Sequence, residues 1–344
     1  MDSTLVALGE SIARFAEREI APSSQEVDTN DALRQVWVTQ LADMGCFSIG
    51  KPEPDGMGIA GECTVLRELA RASGSLAVDV AQRMLSVRAL DAMAGDDAVA
   101  LAHSLREGAA LTGISRGFHA GGTALVRAFG AMSPALVVLL PPYERIGDAV
   151  RIVTAPTCSA RTGLDGLRGL AAFDADAQAG TALDEKTSPS LIAADRILLA
   201  AVATGLGRGA LDLGIAYAKQ RTQFGKPIAA YGEMQALLAK ALARHSSAEA
   251  VVINAAREFD EGRHDIEMAA LAFTHASHAS VRVAERAQHV HGGYGHMHEY
   301  LIGRYVRDAR TLRSLGGATP IVDKFLAQRM GLVENKQAQF ATTP

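Results

Sequence analysis

The segment SLIAADRILLAAVATGLGRGALDLGIAYAKQR, residues 190–221, constrains the fold more than any other part of this chain. It runs without a proline, its apolar residues recur at helical spacing, and small residues collect on one face. A helix of that kind is stable only when other helices pack closely around it. The 344 residues are long for one core, so two or three packed units are expected. A hydrophobic content of 48% with only 5% aromatics suits a mainly helical protein with a small β-unit. A net charge of −4, with no block of Lys or Arg, excludes the basic face that a nucleic-acid partner requires. Cys46, Cys63 and Cys158 are scattered and odd in number, which points to a reducing, cytoplasmic setting. No secretory leader opens the chain, and no apolar run is expected to reach membrane-spanning length, so no membrane partner is expected.

Residues 4–21 alternate apolar and charged positions at helical spacing up to Pro22, and a second helix spans about 30–44 before Gly45. The following CFSIGKPEPDGMGIAG is too rich in Gly and Pro for regular helix and reads as a shaped loop. Two further helices cover roughly 62–73 and 76–94. From about Ala109 the texture changes to short β-branched runs, ALVVLLPP, AVRIVTAP and LRGLAAFD, each bounded by turn residues. Past Ser188 the chain is helical again, with further helices over about 231–260 and 264–289. The expected division is 1–108 helical, 109–187 a short β-domain, and 188–344 a helical bundle.

Two motifs carry chemistry. The long helix runs into Arg221-Thr222-Gln223-Phe224-Gly225-Lys226-Pro227-Ile228, in which a guanidinium fork and an aromatic wall lie three positions apart. The second is AQHVHGGYGHMHEY, where Gln288 precedes Gly292, Gly293 and Gly295. Glycines there let backbone amides approach a phosphate or a flat ligand; alone they would equally suit a helix-breaking turn. His289, His291, His296 and His298 crowd the same stretch, but His-x-His pairs across a glycine turn with no cysteine nearby match no strong metal spacing, and no metal is expected.

Together with GHMHEYLIGRYVRDAR, these motifs resemble the acyl-CoA dehydrogenase family, strongly over 189–330 and weakly over 109–187. FAEREIAP, LADMGCFSI and PEPDGMG in the first hundred residues are similar to that family too. The resemblance implies an N-terminal helical domain, a middle β-barrel-like domain and a C-terminal four-helix bundle. It implies FAD, contacted by Arg221, Gln223, Phe224, Gln288, Gly292, Gly293 and Gly295, with the first three reaching FAD held mainly by a neighbouring subunit. The implied reaction is α,β-dehydrogenation of an acyl-CoA, with an electron-transfer flavoprotein as acceptor, in a homo-oligomer or a heterotetramer with a related subunit.

The chain departs from the family at the points that matter for catalysis. The β-domain opens with Leu111-Thr112-Gly113-Ile114-Ser115-Arg116-Gly117 rather than the usual Thr-Glu-Pro loop, and the only tryptophan is Trp37, so none flanks a flavin from the middle domain. That domain also reads as several strands short. Aligned on Arg307-Asp308-Ala309-Arg310, the family's glutamate base falls on Gly316, flanked by Leu315 and Ala318. Glycine takes no proton. Some relatives carry the base on the long helix, at the position of Asp195 before Arg196; in the plainer reading Asp195 is a helix cap or dipole partner. Glu285, Glu299 and Asp308 are explained by helix faces and charge pairing. Three functions stay open: a self-sufficient dehydrogenase with Asp195 as base, one subunit of a heteromeric dehydrogenase, and a non-catalytic homologue with a structural, binding or regulatory role.

Overall fold

The computed structural model describes residues 3–332 apart from 53, 121–122, 130–133, 158, 162–166, 168 and 317–318, so Cys158 and Ala318 lie outside the described residues. Five helices come first: α1 (Ser3–Phe15), α2 (Asp31–Asp43), α3 (Gly58–Ala72), α4 (Gly74–Asp91) and α5 (Asp96–Arg106). A sheet follows, built from β1 (Thr112–Ala120), β2 (Thr123–Phe129), β3 (Leu136–Leu140), β4 (Arg151–Thr154), β5 (Ser159–Arg161), β6 (Leu170–Asp176) and β7 (Thr181–Ala182). Then come α6 (Thr187–Gln220), a small hairpin of β8 (Thr222–Gln223) and β9 (Lys226–Pro227), α7 (Gly232–Asp260), α8 (Ile266–His291), α9 (Ile302–Leu315) and α10 (Thr319–Arg329).

The long segment is a single helix, α6, and the small residues on its face do what their spacing implies. A Cβ on Gly205 would stand 2.2 Å from the Arg67 carbonyl oxygen of α3, and one on Gly209 would stand 2.7 Å from that of Arg71. The two helices therefore meet backbone to backbone, which only glycine permits. One expectation needs correcting here: α6 is long and apolar enough to cross a membrane, but 94% of its apolar window is buried inside the fold. It is the axis of the helical core.

The sheet runs in the order β5-β6-β2-β1-β3-β4-β7, antiparallel except for the parallel pair β1 and β3. Its alternation divides two cores. Ile114, Phe129, Leu136, Val138 and Leu140 join the helical core, while Ala124, Val126, Val137, Leu139 and Phe173 form a separate one on the opposite face. β1 thus carries Thr112, Ile114 and Arg116 toward the helices.

A buried ionic clasp joins the parts. Arg304 of α9 lies 2.9 Å from Asp28, 3.0 Å from the Ser73 hydroxyl at the α3–α4 corner and 3.6 Å from Asp308. Asp308 also accepts the Leu167 N–H at 2.9 Å, and Ser75 donates to Asp28 at 2.6 Å. Burial pushes the Asp308 carboxyl up to about 6, against the pull of Arg304. The folded protein therefore holds a proton here that the unfolded chain has released. The stability this group contributes is greatest at low pH and falls as pH rises from 3.8 through about 6. In urea unfolding, the intact protein should lose stability relative to Asp308→Asn across that window; a flat difference would refute the assignment. Asp308→Ala, which strands the Leu167 N–H and leaves Arg304 with Asp28 as its one carboxylate, should cost about 1–3 kcal/mol at neutral pH.

Candidate functional site

The two motifs meet on the surface. The β8–β9 hairpin projects from the end of α6, closed by the Ile228 N–H on the Arg221 carbonyl at 2.8 Å. At its tip Phe224 is 95% exposed with φ +50°, a conformation a phenylalanine adopts only under constraint. The Arg221 guanidinium lies 5.3 Å from the centre of the Tyr294 ring, which brings the hairpin against the glycine turn. Behind them Tyr217 stacks on His291 at 4.3 Å, with Tyr300 edge-on to both.

The turn itself is a 3-10 segment, Gly292–His296. Gly292 takes φ +57°, and Gly295 lies so close to the Gln288 carbonyl that a Cβ would stand 2.8 Å from it. The Gln288 side-chain amide donates to the Gly295 carbonyl at 2.9 Å and fixes the turn. Gly293 differs, because its φ is ordinary and nothing lies within 4 Å of its Cβ position. Its bare backbone faces open space. Beside the turn lies a cleft of about 490 Å³ whose lining includes Gln288, Gly295, His296, His298, Arg307 and Arg310. Arg310 is held by Glu285 at 2.8 Å, and Glu285 also takes Arg282 at 3.2 Å. The histidines do not gather: His291 is buried and bonded to the Ala287 carbonyl, His289, His296 and His298 are exposed, and no three potential metal ligands converge among the described residues.

Asp195 lies more than two turns into α6, so it caps nothing. It is 1% exposed and held by two arginines. Arg116 from β1 donates to its oxygens at 2.9 and 3.1 Å, and Arg196 at 2.5 Å. Tyr143 accepts from Arg196 at 2.9 Å, and burial pushes its phenol above the usual range. Burial also draws Arg116 below its ordinary value despite Asp195, and its Nη1 has no hydrogen-bond partner among the described residues. Two buried arginines thus share one carboxylate.

At Gly316 the backbone is unremarkable, with φ −81°. A Cβ there would nonetheless stand 2.1 Å from Cε1 and 2.4 Å from Cζ of Phe273, a fully packed ring on α8. The space where a side chain at 316 would begin is filled. Sequence reasoning missed both Arg116 and Phe273. The available signal for the first was a lone arginine in an apolar strand and a lone aspartate in an apolar helix, charges that burial obliges to pair.

Family profiles match at both ends of the chain: "Acyl-CoA dehydrogenase, N-terminal domain" over residues 3–99 and "Acyl-CoA dehydrogenase, C-terminal domain" over 188–331. The chain belongs to the acyl-CoA dehydrogenase family. Among relatives of this dehydrogenase homologue, a 3-(aryl)acrylate reductase of Clostridium sporogenes is 32% identical over 42% of this chain and 38% of its own length. The caffeyl-CoA reductase-Etf complex subunit CarC of Acetobacterium woodii is 33% identical over 37% and 33%. These alignments span little more than a third of the relatives' lengths. Benzylmalonyl-CoA dehydrogenase of Aromatoleum aromaticum is 27% identical over 94% of this chain and 97% of that one. Butyryl-CoA dehydrogenase from Megasphaera elsdenii shares the fold with TM-score 0.80 at 19% identity, covering 96% and 98% of the two chains. A variant of the Tcur3481-Tcur3483 steroid ACAD does so with TM-score 0.77 at 20% identity, covering 96% and 99%.

Gly316→Glu should therefore not restore a base but lower stability by roughly 1–3 kcal/mol through overpacking. Adding Phe273→Ala should recover part of that loss, so that the two changes couple favourably in a double-mutant cycle. Strict additivity in urea unfolding would show that Phe273 does not occupy the space.

Proposed function

We propose that this chain is one subunit of a heteromeric, FAD-dependent acyl-CoA dehydrogenase. In this reading it completes a cofactor site on a related partner chain, and the partner supplies the base. The observation that carries the proposal is the fate of the two base positions: Asp195 is enclosed by Arg116 and Arg196, and Gly316 is backed by the Phe273 ring. Removal of an α-proton needs an acceptor within hydrogen-bond reach of the substrate carbon, and neither position offers one.

FAD fits one half of what the chain presents. Arg221 offers a donor fork suited to a pyrophosphate, Phe224 an exposed apolar wall, and Gly292 and Gly293 bare backbone for a flat ring to approach. Arg307, in the adjoining cleft, has no hydrogen bond to any described residue. The other half fits poorly, because the face of β1 that looks toward α6 carries Ile114 and Arg116 packed into the core. When bound, FAD would supply the hydride acceptor; this chain's part would be to hold its adenine end and exclude water from it. The partner, an acyl-CoA substrate and an electron-transfer flavoprotein as acceptor are parts of the same proposal. The paired name of the steroid ACAD that shares the fold, Tcur3481-Tcur3483, and the Etf complex of the caffeyl-CoA relative support it.

The test is the flavin spectrum of the purified chain, alone and mixed with a related base-bearing subunit, before and after anaerobic addition of a panel of acyl-CoAs. The expected result is bleaching only in the mixture, with Arg221→Ala and Phe224→Ala each lowering FAD retention at least tenfold while the unfolding midpoint stays put. Bleaching by the single chain that Asp195→Asn abolishes would overturn the proposal in favour of a self-sufficient enzyme. A mixture that gains no flavin would favour a non-catalytic role.

A further inference from the structure

A cleft of about 890 Å³ opens between α3, α6 and the C-terminal end of α7, with Leu5 of α1 at its edge. It lies on the side of α6 away from Asp195: Thr204, on its wall, is nine residues along a helix that turns about 100° per residue, which places it opposite. Its walls include Ala60, Cys63, Ala201, Val252, Ile253 and Phe259.

Polar groups reach the cleft, but its buried charges are already engaged. Arg88 holds the buried Glu62 at 2.6 Å and lies 5.5 Å from the centre of the Phe259 ring. Arg67 pairs with Glu249 at 3.3 Å and with Glu68 at 3.1 Å. The Asp260 carboxylate accepts the Ile59 and Ala60 N–H groups at 2.7 and 3.0 Å, capping α3 from the end of α7 and closing one side. The Thr64 and Thr204 hydroxyls turn back onto their own helices, to the Ala60 and Ala201 carbonyls at 2.9 and 2.8 Å. Burial pushes the Cys63 thiol well up, so it remains a neutral, soft contact rather than a nucleophile.

An ionic group entering such a space would leave water and meet no free counter-charge, a loss that burial does not return. An apolar group would be welcomed along most of its length. The volume stands near the top of the roughly 300–1,000 Å³ that small-molecule sites span. We propose that this cleft binds a bulky, uncharged, apolar small molecule.

The neutral dye N-phenyl-1-naphthylamine tests this with the full chain by fluorescence titration. The expected result is saturable one-to-one binding. Ala60→Phe, which narrows the cleft, and Ile253→Glu, which sets a carboxylate on a residue 49% exposed, should each weaken it at least tenfold with the unfolding midpoint unchanged. Leu271→Glu, an equally exposed site on α8, should leave it unaltered. Four outcomes would overturn the proposal: no saturable binding, binding indifferent to both cleft variants, equal loss with Leu271→Glu, or binding that appears only once residues 333–344 are removed. None of these outcomes bears on the flavin reading, which rests on the hairpin past the end of α6 and the glycine turn, none of whose residues line this cleft.

Discussion

Arg304 carries the tertiary structure. It comes from α9, late in the chain, and its guanidinium reaches Asp28 before α2, Ser73 at the α3–α4 corner and Asp308 on its own helix. Asp308 in turn grips the Leu167 N–H beside the sheet. Three regions far apart in sequence are therefore fastened by one set of buried charges. Such a set adds little net stability over an apolar core, but it tolerates no loss of a member. It fixes where α9 lies, and through α9 the end of the glycine turn and the position of Gly316.

Much of this was legible in the residues, and what was not shares a cause. Most helices announce themselves through apolar period and through Gly45 and Gly292 at their ends, whereas α3 begins at Gly58 inside the segment read as a loop and α5 went unread. The β-domain reads as short strands, and among the described residues these form one seven-stranded sheet in which β1 and β3, separated in sequence by β2, pair in parallel, a non-local pairing that no local pattern encodes. The surface motifs were visible as wording, and the aromatic cluster of Tyr217, His291, Tyr294 and Tyr300 lies where that wording places it. Arg116 and Phe273 were not visible as site residues. Each acts on a position distant in the chain, Asp195 and Gly316, and contact over such separations is decided by packing.

The two positions where a base was expected are closed off by different physics. At Gly316 the obstacle is volume, since an aromatic ring occupies the first atom of any side chain. At Asp195 the carboxylate is present but enclosed: β1 contributes the Arg116 guanidinium and α6 that of Arg196, leaving one net positive formal charge among the three in the core. Restoring one position leaves the other closed, and reopening the second means unburying two arginines together. Both obstacles are set by core packing and are not confined to one substitution.

Phe224 carries a last consequence. A phenylalanine held at φ +50° and bare to solvent costs the free chain backbone strain as well as hydration of a whole ring. Covering the ring would return its hydration cost but not the backbone strain, which the hairpin itself holds. The shape of this apolar knob is thus set before any surface meets it, and little ordering entropy is left to spend on contact.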